Sequence, residues 1–213
     1  MKIEFQNIIP DPLKKDLSSK LKFWGSSLVW ESPSKTLLNA FSGKGKSTFV
    51  DVLTGVRNDF SGKILINGNS ISDFNKGQWS KLRSRQIATV YQDLQLFNEL
   101  TIFENILVKN DLTNHFSEEK IKTIIRRLGL EKMTNKIVNQ LSLGQQQRVA
   151  FARAISQPFD LLLLDEPFSH LDKLNETIII EIINEELELN KAGLIMTTLG
   201  EVPNLSFESE IIL

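Results

Sequence analysis

The run Asn39-Ala40-Phe41-Ser42-Gly43-Lys44-Gly45-Lys46-Ser47-Thr48-Phe49, NAFSGKGKSTF, sets two glycines, two lysines and three hydroxyls between apolar flanks. Such a run contributes little to a packed core. From Ala40 to Ser47 it follows the phosphate-loop pattern G-x-x-x-x-G-K-[ST] except at the first position, where alanine replaces glycine. Alanine is tolerated there if the turn keeps φ negative. Glycines let backbone N–H groups turn inward around an anion, and the helix that follows adds its positive end. Lys46 is placed to reach the β- and γ-phosphates, and Ser47 to offer its hydroxyl to Mg²⁺. Taken alone, the motif also reads as a flexible Gly/Lys surface loop.

The flanks supply the strand–loop–helix context: TLLN before the loop and KSTFVDVLTG after it, the helix closing at Gly55. Upstream, KIEFQNII alternates and SSLVWE reads as a second strand. GKILINGNSI carries an Asn67-Gly68 hairpin signal, and IATVYQ is a further strand. From Leu100 to Asn139 the pattern is helical, SEEKIKTIIRRLGL being its clearest amphipathic piece. LGQQQRVAFARAISQ is another helix, stopped by Pro158. LDKLNETIIIEIINEELELN is a helix, GLIMTT a strand, and EIIL a last strand. Strands alternating with helices imply an α/β fold with a mostly parallel sheet, interrupted by a helical insertion.

DLLLLDEP is a four-leucine run bounded by acids, as expected of a parallel strand buried on both faces. Its acids fall at the carboxyl edge of the sheet, where open α/β folds bind ligands. Asp165 there can hold Mg²⁺, and Glu166 can take a proton from an attacking water. A charged turn capping a strand is the plainer reading of the same residues. In LSLGQQQR, Leu141 to Arg148, a serine and a glycine at a helix start offer a hydroxyl and free N–H groups to an anion. Ser142 is equally a plain N-cap, although a cap alone leaves Gly144 and Gln145 without a reason.

Composition narrows the field. The chain has 213 residues, enough for one large α/β domain. Lys plus Arg number 25 against 26 Asp plus Glu, so no basic footprint points to nucleic acid. There is no cysteine, which removes disulfides and thiolate metal sites and fits a reducing cytosol. The opening segment MKIEFQNIIPDPLKKD lacks the apolar core of a secretion signal, and no apolar run approaches the roughly 20 residues that span a bilayer. Work at a membrane would go through a partner.

The motifs together resemble the nucleotide-binding subunits of ATP-binding cassette (ABC) transporters. FSGKGKST resembles that family's Walker A, VYQD its Q-loop, LSLGQQQR its signature, LLLLDEP its Walker B and SHLD its D-loop, in the family's order. LTIFENI and QQQRVAFARAI also read as family text. The segment WSKLRSRQIATVYQDLQLFNELTIFENI is most similar to the ATPases of lipoprotein-release and macrolide-export systems. The resemblance implies a P-loop NTPase (RecA-like) core with an N-terminal antiparallel β subdomain and an inserted α-helical subdomain. It implies one domain over 1–213, with 1–92 and 158–213 forming core and β subdomain and 93–157 the helical subdomain. Ser42, Gly43, Lys44, Gly45, Lys46, Ser47 and Thr48 are then expected to hold ATP phosphates. Ser47, Gln92 and Asp165 are expected at Mg²⁺, with Glu166, Lys46 and Gln92 as catalytic groups. Gln92 by itself reads as an exposed polar residue at a strand end. Two subunits meet head to tail in this family, so Ser142, Gly144 and Gln145 should contact the γ-phosphate held by a second copy, or by another cassette with which this chain pairs. An integral membrane permease is the implied partner, docking on the segment after Gln92 with the helical insertion, at the inner face of the cell membrane.

Three positions depart from the family. Leu143 stands where the signature usually has its first glycine. The place of the adenine-stacking aromatic falls near Pro10 to Leu13, which has none; Phe5, Trp24 and Trp30 remain, each also readable as core. The histidine that follows the last core strand of the family is replaced in IMTTLGEV by Thr198 or Leu199. The chain has two histidines, His115 in the insertion and His170 in the D-loop. Losing one transition-state contact costs about 10²–10³ in rate, so hydrolysis is expected to be slow rather than absent. Two alternatives stand beside the transporter ATPase: an ATP-gated interaction module with negligible turnover, and a soluble ABC ATPase outside transport.

Overall fold

The computed structural model describes residues 1–14, 23–39, 43–198 and 202–213. In chain order its strands and α-helices are β1 (Lys2–Pro10), β2 (Ser27–Glu31), β3 (Lys35–Asn39), α1 (Lys46–Leu53), β4 (Phe60–Ile66), β5 (Asn69–Ser70), α2 (Lys76–Arg85), β6 (Ile87–Val90), α3 (Ile102–Asn110), α4 (Glu118–Arg127), α5 (Leu143–Ile155), β7 (Leu161–Asp165), α6 (Lys173–Asn190), β8 (Gly193–Thr198) and β9 (Ser209–Ile212).

Alternating, half-polar strands near the N-terminus pair antiparallel in the order β2-β1-β4-β5. The β4–β5 hairpin turns on Asn67 and Gly68, both at positive φ, as that dipeptide predicts. The remaining strands form a five-stranded sheet, β6-β7-β8-β3-β9, in which every pairing is parallel. Parallel sheets need cover on both faces, and the leucines of β7 show it. Leu161 and Leu163 pack toward the antiparallel sheet with Ile3, Phe5 and Phe49. Leu162 and Leu164 face the opposite way, into a core with Phe151, Ile106 and Met196. All four are fully buried. Truncating such a side chain, Leu163→Ala for example, costs about 2–5 kcal/mol through lost transfer energy and the cavity left behind.

The helical stretch expected over Leu100 to Asn139 is shorter in the structure. Helices α3 and α4 end at Asn110 and Arg127, and beyond them lie two single 3₁₀ turns, Glu131–Met133 and Val138–Gln140. Gly129, at φ 67, breaks the run. Helix α2 has no counterpart in the sequence reading. Its one buried side chain is Leu82, so it shows almost no apolar period, and a capping box between Asn75 and Gln78 starts it instead.

Candidate functional site

The phosphate loop bridges β3 and α1, at the carboxyl edge of the parallel sheet. Ala40, Phe41 and the expected Ser42 lie outside the described residues. Gly45 is the N-cap of α1 at φ 97, and no side chain caps the first turn. A Cβ on Gly45 would sit 2.7 Å from Leu13 Cδ1 and 3.1 Å from the Trp24 ring, so the loop passes directly under these two residues. Trp24 Nε1 donates to the Lys44 carbonyl at 3.2 Å. A cavity of about 230 Å³ is lined by Leu13, Gly43, Gly45, Lys46, Ser47, Thr48, Gln92 and Glu166. Backbone at positive φ on Gly43 and Gly45, with the open first turn of α1, gives this hollow the donors an anion needs.

Four side chains meet over that hollow. Lys46 is buried, and its Nζ lies 3.5 Å from Glu166 Oε1. Gln92 Nε2 donates to Glu166 Oε2 at 3.4 Å, and Gln92 Oε1 accepts from the Ser47 hydroxyl at 3.1 Å. Ser47, Gln92 and Asp165 also line a larger adjoining cavity of about 610 Å³ that extends to Arg83, Lys109 and Arg153. The donor atoms of Ser47, Gln92 and Asp165 are all hard oxygens, the kind Mg²⁺ takes when phosphate oxygens and water complete its octahedron.

The acids sit where β7 ends. Asp165 is the last residue of the strand and pairs in register with Thr197 of β8. Glu166 follows at φ 50, a left-handed conformation that costs a non-glycine residue about 1–3 kcal/mol. The fully buried Thr197 hydroxyl donates to Asp165 Oδ1 at 2.6 Å and accepts the Glu166 N–H at 3.0 Å.

Helix α5 opens with the signature-like residues. Ser142 and Gln145 form a capping box: Ser142 Oγ accepts the Gln145 N–H at 3.3 Å and Gln145 Oε1 accepts the Ser142 N–H at 2.9 Å. Gln145, which a plain serine cap left unexplained, is thus its second half. Gly144 has a reason too, since a Cβ there would lie 2.6 Å from the His170 carbonyl oxygen of the D-loop. Leu143, the first residue of α5, is half-exposed. None of Ser142, Gly144 and Gln145 lines the cavity that holds Lys46.

The departures take concrete form. Thr198 ends β8 opposite Asn39, and Leu199 lies outside the described residues. Phe5, Trp24 and Trp30 are all buried, and the residue of Pro10 to Leu13 that walls the phosphate cavity is the aliphatic Leu13. His115 stacks on Phe116 in the insertion, with ring centroids 4.5 Å apart, and burial lowers its pKa. His170 is exposed, and its N–H donates to Gln147 Oε1 at 3.2 Å.

Three residues at the site escape a sequence reading. Thr197 looks like an ordinary β-branched strand residue. Gln147 is one of three consecutive glutamines, yet it alone is deeply buried, donating to the Glu166 carbonyl and to Ser169 Oγ, each at 3.2 Å. Arg153, near the end of α5, donates to the carbonyls of Leu94 and Gln95, both at 2.7 Å. Those two residues carry positive φ, so a buried guanidinium holds the left-handed turn just after Gln92. The apolar face of α5 hints at Arg153, since a cation there needs a polar partner.

The sequence profile described as "ABC transporter" matches residues 32–169. The chain is 36% identical over 166 residues to the lipoprotein-releasing system ATP-binding protein LolD of Buchnera aphidicola subsp. Schizaphis graminum, covering 76% of this chain and 72% of LolD. It is 34% identical over 147 residues to the ABC transporter ATP-binding protein YtrE of Bacillus subtilis, covering 68% of this chain and 64% of YtrE. Its fold is similar to that of the cassette MJ0796, solved as a dimer in a post-hydrolysis state bound to ADP and Pi. That likeness has a TM-score of 0.77 over 92% of this chain and 87% of MJ0796, at 23% identity.

Proposed function

The chain belongs to the ABC transporter family of ATP-binding cassette ATPases, and from that premise we propose that it is the ATP-hydrolysing subunit of a transporter, powering a separate membrane permease. The observation that carries the reading is the meeting of Lys46, Ser47, Gln92, Asp165 and Glu166 at the edge where the phosphate loop and β7 end. In this reading Lys46 leaves Glu166 for the β- and γ-phosphates, while the amides of Gly43, Lys44, Gly45, Ser47 and Thr48 cradle them with Ser42. Ser47, Gln92 and Asp165 hold Mg²⁺, which when bound neutralises phosphate charge. Glu166, freed of its lysine, accepts the proton of the attacking water.

Two copies close head to tail, and each presents Ser142, Gly144 and Gln145 to the nucleotide of the other. Support comes from their position away from the chain's own phosphate cavity and from the exposure of Ser142 and Leu143. The permease docks beside Gln92, against the segment that carries the exposed Phe97 and the helical insertion 93–157. Among the described residues no helix is long and apolar enough to cross a membrane. In this reading the permease holds the chain at the inner face of the cell membrane. The names of the relatives favour lipoprotein release among transport systems. With Thr198 or Leu199 in the place of the family's histidine, turnover is slow.

Two observations favour a second reading, an ATP-gated interaction module. Thr198 or Leu199 in place of the histidine weakens attack on the γ-phosphate, and the aliphatic Leu13 wall weakens the grip on adenine. A paired experiment decides. Lys46→Ala should abolish or severely weaken Mg·ATP binding in calorimetry, and equal affinity in the variant removes the phosphate-loop reading. Glu166→Gln should dimerise in saturating ATP by sedimentation, and Ser142→Arg should block that dimer. Wild-type turnover above background keeps the ATPase, whereas bound ATP without turnover selects the module.

A further inference from the structure

We propose that Thr197 is a positioning residue that sets both acids of the site with one hydroxyl. The register of β7 and β8 ends on Asp165 and Thr197, so the N–H of Glu166 lies beyond the ladder. That N–H goes to Thr197 Oγ1 at 3.0 Å. Because the hydroxyl oxygen accepts there, its own proton is directed to Asp165 Oδ1, 2.6 Å away. The pair of bonds is closed off from water, since Thr197 has no exposed surface. Two consequences follow. Asp165 is fixed with Oδ1 engaged and with Oδ2, which has no hydrogen-bond partner among the described residues, left for a cation. Glu166 is held at φ 50, a conformation its own side chain disfavours, and this aims its carboxylate at Lys46 and Gln92.

Valine has the shape of threonine without the donor and acceptor, so Thr197→Val separates this role from strand packing. The inference rests on the nucleotide site proposed above. The protein is saturated with a hydrolysis-resistant ATP analogue and titrated with Mn²⁺, bound metal being read by electron paramagnetic resonance. Thr197→Val should weaken Mn²⁺ binding by about 10- to 100-fold, the range typical for a lost outer-shell partner of a metal ligand. kcat should fall by at least about tenfold, with a smaller change in KM for ATP, because phosphate binding rests on Lys46 and the loop amides. Thr197→Ser, which keeps the hydroxyl, should recover most of both losses. Equal Mn²⁺ affinity and kcat in wild type and Thr197→Val overturns the proposal. So does equal damage in Thr197→Ser and Thr197→Val, which would assign the effect to the packing of the strand and not to the hydroxyl. If Thr197→Val does not fold, Thr197→Ala provides the same comparison. A wild type that binds neither nucleotide nor Mn²⁺ overturns the nucleotide site itself, an outcome distinct from a variant that matches a functional wild type.

Discussion

Gln147 Nε2 donates to the backbone carbonyl of Glu166 at 3.2 Å, across the gap between the signature helix and the end of β7. The same carboxamide donates to Ser169 and accepts from the His170 N–H, so one buried side chain fastens α5 to the end of β7 and to the 169–170 turn. Its isosteric loss leaves buried polar groups unpaired, at about 1–3 kcal/mol for each group left unsatisfied.

Gln147→Leu should therefore lower the melting temperature by several degrees, a drop of 1 kcal/mol being worth roughly 2–4 °C in a domain of this size. It should also lower kcat more than it raises KM, since Glu166 loses support while Lys46 and the loop amides keep theirs. Calorimetric melting with steady-state ATPase assays checks both. A melting loss with unchanged kcat would confine Gln147 to packing.

Arg153 makes a parallel tie at the other end of α5. Its guanidinium is buried, and desolvation pulls its pKa down to about 10, yet it remains charged at neutral pH and serves the carbonyls of Leu94 and Gln95. Arg153→Met should release the turn after Gln92. Amide exchange over residues 94–97 should accelerate by at least about tenfold, given two charge-assisted bonds of ~1.5–3 kcal/mol each. Hydrogen-exchange mass spectrometry reads it directly.

Lys109 gives a pH signature. Burial, then the nearby Arg153 and Arg83, hold its pKa at about 8 against 10.5 for the free side chain. Below pH 8 both folded and unfolded chains carry the proton, and the folded state bears the full penalty of a buried charge. Between pH 8 and 10.5 the unfolded chain binds more protons than the folded one, so this group makes stability rise with pH. Lys109→Met should stabilise the fold at pH 7, on the order of 2–3 kcal/mol, and flatten the rise between pH 8 and 10.5. The Arg83 carbonyl that Lys109 caps keeps a second donor, Gln157 Nε2 at 3.0 Å, so the substitution strands no acceptor. Denaturant titrations across that range test the difference curve.

Thr198→His and Leu199→His, made separately, should raise kcat where the restored imidazole reaches the γ-phosphate. A gain of about tenfold corresponds to roughly 1.4 kcal/mol of recovered transition-state stabilisation, with a smaller change in KM. Wild-type turnover already at several per second, together with a large loss in His170→Ala, would instead hand that role to the D-loop histidine.

Much of this architecture is legible in the sequence because the signals are local. Four leucines between acids predict β7, Asn67-Gly68 predicts a hairpin, and the Gly/Lys loop predicts a strand–loop–helix junction. Helix α2 is not legible by period, because its contact with the core is a single leucine. Thr197, Gln147 and Arg153 are hidden for a different reason. Each serves a backbone carbonyl, N–H or carboxylate on another element, and that pairing exists only once β7, β8 and α5 are in register. The capping box of Ser142 and Gln145 shows the converse case. Its pattern is readable at three-residue spacing, and the local reading accounts for one residue that the nucleotide reading had claimed for itself.

Trp24 gives the molecule an optical reporter of its own state. Its indole N–H is bound to the carbonyl of Lys44 inside the phosphate loop, and its ring edge covers Gly45. Trp30 and Trp79 lie elsewhere, against Gly193 and Gly55. Any rearrangement of the loop on phosphate capture changes the polarity and hydrogen bonding of this one indole while the other two keep their surroundings. Intrinsic tryptophan emission can therefore follow the loop in real time without a label, and Trp24→Phe identifies the part of the signal that belongs to it.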